Sequence, residues 1–249
     1  MKPLLAAIRF LTIVPIPGDW GTSEEDLARS VPWFPVVGLL LGAIAAAAAW
    51  GLSLVAPSML IAAALVVVLL SFSGCLHTDG LADTADGLLS SRPRERMLEI
   101  MKDSHTGAMG VIAIVCVLLL KFASLASLPA ERLWPAVLLM PLAGRCMIVV
   151  HRALLPYARP SGLANIFYRR QARWAGLWAV AVLAAVAWYV LGSRGLIVCA
   201  ACMVVTLAFS AYVYRKIGGA TGDTFGAVCE IIEIVPALTL AFGPLPEVR

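Results

Sequence analysis

Two short acidic segments carry the residues whose types and spacing best suit chemistry. The first, HTDGLADTADGL, has Asp79, Asp83 and Asp86 at positions i, i+4 and i+7. At about 100° per residue these side chains share one helical face, where like charges repel. A divalent cation would reverse that repulsion, because Mg²⁺ prefers carboxylate oxygens combined with substrate phosphate oxygens. The segment therefore predicts magnesium ligands, and Gly80 and Gly87 predict room for a ligand against its backbone.

The second segment, GGATGDTFGAVCEIIE, has Asp223, Glu230 and Glu233 at positions i, i+7 and i+10, again on one helical face. Glu230 and Glu233 lie within an apolar run. A charge at the centre of a membrane span costs about 2.5–3.5 kcal/mol, so these carboxylates are expected to have partners. We predict that all three bind metal together with the first segment. A solvated loop or helix cap is the alternative for each segment.

Two histidines adjoin acidic residues. His77 belongs to the first acidic segment, and MKDSHTGAMG places Lys102, Asp103 and His105 at the entrance to an apolar run. Histidine titrates near neutral pH, so it can accept or donate a proton. His77 and His105 are therefore candidate general bases or hydrogen-bond donors, and a histidine with no catalytic role is the alternative for each.

Basic residues also interrupt apolar sequence. Arg145 lies inside one run, Lys121 lies deeper in another, and Arg9 interrupts the amino-terminal apolar segment. A cation inside a membrane usually pairs with a carboxylate. Arg9 and Arg145 are candidate phosphate ligands, and a purely structural ion pair is the alternative for Arg145 and Lys121.

The composition indicates which elements must position these residues. Of 249 residues, 61% are apolar and 14% are charged, the net charge is +4, and the mean hydropathy is +0.91. A soluble domain is about 45–50% apolar and about 25% charged, so these values exclude a typical soluble domain, a disordered chain and a nucleic-acid-binding domain. We predict an all-α, polytopic integral membrane bundle of about seven transmembrane helices with short interfacial helices, in a single domain over residues 1–249. Residues 1–30 form its interfacial amino-terminal segment, and the predicted spans are residues 33–55, 58–74, 108–128, 133–150, 174–192, 195–214 and 225–243.

The distribution of basic residues predicts the orientation. The amino terminus and the connections at 75–107, 151–173 and 215–224 carry fourteen of the nineteen Lys and Arg residues. The positive-inside rule makes that side cytoplasmic. Both acidic segments then face the cytoplasm and are expected to form one site. Carboxylates for Mg²⁺ beside basic residues for phosphate are typical of phosphoryl transfer.

Several segments together resemble one enzyme family. HTDGLADTADGL, RMLEIMKDSHTGAMG, YARPSGLANIF and GGATGDTFGAVCEIIE are similar to signature segments of cobalamin (5′-phosphate) synthase, the adenosylcobinamide-GDP ribazoletransferase family. RFLTIVPIP and VPWFPVVGLLLG fit the same pattern. The resemblance implies Mg²⁺-dependent joining of adenosylcobinamide-GDP to α-ribazole or its 5′-phosphate, with GMP released. It also implies a location in the bacterial cytoplasmic (inner) membrane.

The resemblance and the chemistry together suggest a role for each candidate. GMP would leave as the ribazole hydroxyl attacks the phosphorus in line, since no serine or cysteine stands out as a nucleophile. The predicted metal ligands are Asp79, Asp83, Asp86, Asp223, Glu230 and Glu233. The predicted catalytic residues are Lys102, Asp103 and His105, and the predicted substrate-binding residues are Arg9, His77, Arg145 and Arg159.

Two other functions are weighed against this one. A CDP-alcohol phosphotransferase would require the pattern DGxxARx₈GxxxDxxxD, but Asp83 stands where that pattern shifts to Ala-Arg, and the later part is absent. An ion-coupled transporter would place its acids near the membrane midplane rather than towards one face. The predicted partners are the two substrates and the lipid bilayer, without nucleic acid. A homo-oligomer and a complex with other cobalamin-assembly enzymes are both left open.

Overall fold

The long apolar runs of the chain fold as helices. The computed structural model describes residues 1–169 and 174–242. Their helices are α1 (Lys2–Leu11), α2 (Glu24–Ala28), α3 (Phe34–Ser53), α4 (Ser58–Phe72), α5 (Leu76–Leu88), α6 (Arg94–Ile100), α7 (Ala108–Ala126), α8 (Ala130–Leu154), α9 (Trp174–Leu191), α10 (Ser193–Ile217) and α11 (Gly222–Ala241). Short 3₁₀ turns cover Val31–Trp33 and Leu163–Tyr168. The all-helical fold predicted from the composition is confirmed.

Six helices of the described chain, α3 and α7–α11, are long and apolar enough to cross a membrane alone. The 15-residue α4 passes that test only together with α5, and the two axes bend by 87°. The bend lies at Gly74 and Cys75, whose φ angles of 58° and 63° are left-handed and so break the helix. We take α4 as a short crossing segment and α5 as lying outside the spans. The predicted polytopic helical bundle is confirmed, with six spans or up to seven.

The helix α8 is longer than its predicted span of residues 133–150, because both of its charged ends find partners. Arg132 donates to the Leu240 carbonyl at 3.0 Å, and Arg152 donates to the Phe167 carbonyl. The carbonyl oxygens accept hydrogen bonds from the two guanidinium groups. A hydropathy profile, in contrast, places the ends of the span at these charged residues. The helix therefore continues through them.

The helices α8 and α11 form the centre of the bundle. Nearly all of α8 is buried, and it packs against α3, α9, α10 and α11. The outer helices expose large apolar side chains, such as Ile44, Leu119 and Trp188, which would be unfavourable in water but suit contact with lipid. Contact between α3 and α8 needs small residues, since a Cβ at Gly42 would lie 2.1 Å from the Leu138 carbonyl oxygen.

The short helices α1, α2, α5 and α6 belong to the amino-terminal segment and the 75–107 connection, which are predicted to be cytoplasmic. Met97 and Met101 of the α6 region are buried. A Cβ at Gly87 of α5 would lie 2.4 Å from Met101 Cγ. The prediction that Gly87 leaves room for a ligand is therefore wrong, because α6 fills that space.

Candidate active site

A cleft of about 200 Å³ opens between α5, the head of α11 and the connection that follows α8. We call it the acidic cleft. Its charged and polar lining residues are His77, Asp79, Tyr157, Arg159 and Asp223. Its apolar lining includes Phe10, Leu76, Ile148, Leu163, Ala164 and Phe225. The cleft thus combines a charged wall with an aromatic and aliphatic wall.

Two glycines bring α5 and α11 together at this cleft. A Cβ on Gly80 would lie 2.8 Å from the Asp223 carbonyl oxygen, and one on Gly226 would lie 2.7 Å from the His77 carbonyl oxygen. The two backbones are therefore in direct contact, which only glycine allows. The predicted room for a ligand at Gly80 is wrong, because α11 occupies it. The same contact brings the acids of the two segments, Asp79 and Asp223, into one cleft.

Three aspartates share this region and affect one another electrostatically. Burial and, after it, the negative charges of Asp79 and Asp223 together raise the pKa of the half-buried Asp83 to about 7. This is the repulsion expected for carboxylates that converge without a counter-ion. Among residues 1–169 and 174–242, no three or more His, Cys, Asp or Glu side chains are grouped so that they could hold a metal ion by themselves.

Arg159 supplies positive charge to the acidic cleft. Its Nη2 donates to Asp223 Oδ2 at 2.8 Å, and its side chain is only 10% exposed. The backbone beside it is fixed, because the Ala158 N–H donates to the Ala220 carbonyl and the Ala220 N–H donates to the Pro156 carbonyl, both at 2.8 Å. The predicted substrate-binding residues His77 and Arg159 thus both line the cleft.

The head of α11 is built by its own sequence. Thr221 is the N-cap, and its side chain accepts from the Thr224 N–H while the Thr224 hydroxyl accepts from the Thr221 N–H. This capping box fixes where the helix begins. Asp223, in the first turn, is held where the helix dipole favours an anionic group.

Glu230 and Glu233 lie deeper in α11 and are enclosed with two cations. Lys121 Nζ donates to Glu230 Oε2 and to Glu233 Oε2, both at 2.7 Å, and Arg145 pairs with Glu233 Oε1. All four side chains are at most 5% exposed. We call these residues the buried charge cluster. Arg145 and Lys121 therefore form structural ion pairs, which was the alternative considered for them from the sequence. Because Glu230 and Glu233 are enclosed with these two cations, their surroundings favour ion pairing over metal binding.

The buried charge cluster touches the acidic cleft through α5. Thr78 donates to Glu230 Oε1 at 2.9 Å, and His77 Nδ1 lies 3.5 Å from Arg145 Nη2. These two residues directly precede Asp79. The cluster therefore supports the first turn of α5, on which Asp79 is carried.

Asp86 caps a neighbouring helix. Its carboxylate accepts from the Gly107 N–H at 2.6 Å and from the Gly110 N–H at 2.8 Å, at the start of α7. Backbone N–H groups of a first helical turn need such partners. Asp86 thus shares a face with Asp79 and Asp83, as the spacing predicts, but its oxygens bind α7.

The remaining predicted residues lie outside the lining of the cleft. Arg9 donates to the carbonyls of Ile16, Gly18 and Trp20, which folds the chain after α1 back on itself. Lys102, Asp103 and His105 are exposed.

Asp103 Oδ1 and His105 Nδ1 lie 2.7 Å apart, and this hydrogen bond lowers the pKa of Asp103. The predicted catalytic roles of Lys102, Asp103 and His105 stay predictions.

Residues that the chemical patterns missed form the other wall of the cleft. Phe10, Ile148 and Phe225 line it, and they carry no chemical signal in a sequence. Tyr157 also lines it, and burial raises the pKa of its hydroxyl, so the hydroxyl stays protonated at neutral pH. In the sequence, only the position of Tyr157 within the segment YARPSGLANIF indicated a functional role for it.

Comparisons with known proteins agree with the resemblance. The family model described as "Cobalamin-5-phosphate synthase" matches residues 3–241. Curated relatives named "Adenosylcobinamide-GDP ribazoletransferase" include one from Roseiflexus sp. (strain RS-1), 44% identical over 97% of this chain and 90% of the relative. Another, from Geotalea daltonii, is 40% identical over 96% of this chain and 97% of the relative. No solved structure matches the chain. With nearly its whole length matched by the model and by these relatives, the chain belongs to the cobalamin-5-phosphate synthase family.

Proposed function

We propose that this enzyme joins adenosylcobinamide-GDP to α-ribazole or its 5′-phosphate and releases GMP. Relatives that match over nearly the whole chain carry the name of this transferase. The observation that carries the proposal is the convergence of Asp79 and Asp223, from two helices, with Arg159 in one cleft. Carboxylates for a divalent cation beside a guanidinium for phosphate are what transfer at a diphosphate requires.

The carboxylates fit Mg²⁺. Mg²⁺ is usually held by one or two carboxylates, and substrate phosphate oxygens complete its shell. Asp79 and Asp223 supply two such carboxylates across the contact between α5 and α11. When bound, Mg²⁺ would stabilise the negative charge that develops on the leaving phosphate.

The protein residues can perform the other tasks. Arg159, whose charge is permanent, is placed to bind a phosphate oxygen. Asp83, with a pKa of about 7, is suited to accept the proton of the attacking hydroxyl near neutral pH. Neither Asp83 nor His105, the base predicted from the sequence, lines the cleft. Asp83 is the better candidate because it is half-buried and feels the charges of the cleft residues Asp79 and Asp223, whereas His105 is exposed.

The cleft volume limits which part of the substrate enters it. A drug-sized ligand usually occupies a pocket of roughly 300–1,000 Å³. At about 200 Å³, the acidic cleft admits a diphosphate with part of a ribose, and the corrin ring must lie outside. The apolar residues Phe10, Leu163 and Phe225 at the cleft are suited to contact its rim.

We also propose a bacterial inner-membrane location with the acidic cleft facing the cytoplasm. The cleft is built from α5, the head of α11 and the connection after α8, which lie on the side that carries most of the basic residues. The positive-inside rule places such connections in the cytoplasm. Both substrates would then reach the cleft without crossing the bilayer.

Product identification tests this function. Purified protein in detergent is incubated with adenosylcobinamide-GDP, α-ribazole 5′-phosphate and Mg²⁺, and the products are separated and identified by mass. The proposal predicts adenosylcobalamin 5′-phosphate and GMP in equal amounts. Because detergent removes any gradient, an ion-coupled transporter would form neither product, and that result would contradict the proposal.

A further inference from the structure

Arg159 has more hydrogen-bonding capacity than its present partner uses. One nitrogen, Nη2, donates to Asp223, whereas Nε is buried and has no hydrogen-bond partner within the described part of the chain. The side chain is only 10% exposed, and it lines the acidic cleft. An unpaired N–H in such a position is unfavourable, so an acceptor that enters the cleft would be stabilised there.

The head of α11 offers donors at the same place. Thr221 satisfies the N–H of Thr224, but helix geometry leaves the N–H groups of Gly222 and Asp223 without an intrahelical partner. Both residues line the cleft beside Arg159. A helix start and a buried guanidinium N–H therefore favour an anion at one point.

Arg159 and a divalent cation would compete for the carboxylate of Asp223. Its Oδ2 accepts from Arg159 at 2.8 Å and from the Thr221 hydroxyl at 3.3 Å. A divalent cation bound to that oxygen would be held directly beside the positive charge of Arg159. As long as Arg159 stays on Asp223, its positive charge therefore opposes a cation at the same carboxylate.

We propose that Arg159 changes partner when substrate binds: it leaves Asp223 for a substrate phosphate oxygen at the head of α11, and thereby frees Asp223 for the divalent cation. This inference rests on the proposed function. It makes cation and phosphate binding cooperative, because each favours the state in which Arg159 has left Asp223. Without phosphate, the enzyme binds the cation weakly.

The exchange needs only rotation of the Arg159 side chain. The backbone on its amino-terminal side is fastened by the paired hydrogen bonds of Ala158 and Ala220, and Arg94 Nη2 donates to the Ala158 carbonyl at 2.8 Å. Pro160 stiffens the other side. The phosphate is thus expected to find the guanidinium within reach without movement of the segment.

Manganese binding, followed by electron paramagnetic resonance in detergent, tests the exchange. Arg159→Gln removes the competing charge, and we expect the ligand-free variant to bind Mn²⁺ about tenfold more tightly than the wild type. Arg159→Lys keeps the charge and should bind Mn²⁺ like the wild type. Arg29→Gln, at an exposed ion pair with Glu25, is the matched control and should change nothing. Equal or weaker Mn²⁺ binding by Arg159→Gln would overturn the exchange.

A second measurement needs no variant. With wild-type protein, GMP should tighten Mn²⁺ binding by about tenfold after correction for Mn²⁺ bound to free GMP, and by reciprocity Mn²⁺ should tighten GMP binding equally. No effect of GMP would also overturn the exchange. The product assay separates this failure from that of the function: a wild type that forms GMP but shows no coupling refutes the exchange alone.

Discussion

Replacing Glu233 by Gln should lower the stability of the folded protein, although it should not remove a metal ligand. Glu233 accepts from Lys121 at 2.7 Å and pairs with Arg145, and its side chain is 4% exposed. The four members of the buried charge cluster sum to zero charge, and the substitution leaves a net charge of +1. Removing one partner of a buried pair costs about 3–5 kcal/mol, because the charge that stays behind is uncompensated.

The expected loss can be measured as a melting temperature in detergent. For a chain of this length about 2–4 °C corresponds to 1 kcal/mol, so Glu233→Gln should lower the melting temperature by roughly 6–20 °C. Glu131→Gln is the matched control: Glu131 is an exposed glutamate in the first turn of α8, where loss of a charge costs about 1 kcal/mol at most.

A second variant distinguishes charge balance from lost packing. Adding Lys121→Met to Glu233→Gln leaves Arg145 with Glu230, and the cluster is neutral again. The double variant should therefore be more stable than the sum of the two single changes predicts. Additive losses would refute the charge-balance reasoning. A Glu233→Gln protein of unchanged stability with weakened Mn²⁺ binding would instead make Glu233 a metal ligand, as the sequence spacing predicts.

Three further outcomes are expected. Gly226→Ala, whose Cβ would lie 2.7 Å from the His77 carbonyl oxygen, should separate α5 from α11 and lower both kcat and melting temperature, whereas Gly51→Ala, with open space around it, should not. kcat/KM should rise with pH as Asp83 ionises to its base form, with a midpoint below about 7 because bound Mg²⁺ would oppose the negative charges of Asp79 and Asp223; a flat profile from about pH 4.5 to about pH 8.5 would contradict the role of Asp83. For the orientation, single cysteines are introduced in a Cys75→Ser background, and an impermeant thiol reagent is added to intact cells. Cysteines within residues 88–100 should not react, whereas one beside Arg194 should. The reverse pattern would show that the predicted orientation is inverted.

The bundle follows from local sequence because a span is a continuous apolar run. Such a run must satisfy its own backbone in lipid, and a helix is the structure that does so. The predicted bounds differ from the observed ones mainly where a distant partner decides. Arg152 continues α8 because the Phe167 carbonyl accepts its protons, and α4 stops at Phe72 because the next turn is left-handed. Neither cause is visible in a hydropathy profile.

The site was predictable only as far as helical periodicity reaches. Periodicity places Asp79, Asp83 and Asp86 on one face of α5, and the structure agrees. It does not state that Asp86 will cap α7, because Gly107 lies on a segment that only the fold brings near. Likewise, the spacing of Glu233 from Asp223 marks a shared face, but the partner Lys121 comes from another helix. Sequence spacing describes one helix, whereas the role of a charge depends on its neighbours in space.

Turnover by two aspartate variants tests the central claim most directly. GMP release from adenosylcobinamide-GDP is measured for Asp79→Asn and Asp223→Asn, with Asp19→Asn, an exposed aspartate away from the cleft, as the matched control. If both carboxylates hold Mg²⁺, each variant should lose GMP release by orders of magnitude, since charge stabilisation by the metal contributes several kcal/mol. The melting temperature of Asp79→Asn should stay near the wild-type value, because the acids repel one another in the metal-free protein. Asp223→Asn also removes the ion-pair partner of Arg159, so its melting temperature should fall. Near-normal GMP release by either cleft variant, with the control equally active, would contradict the account.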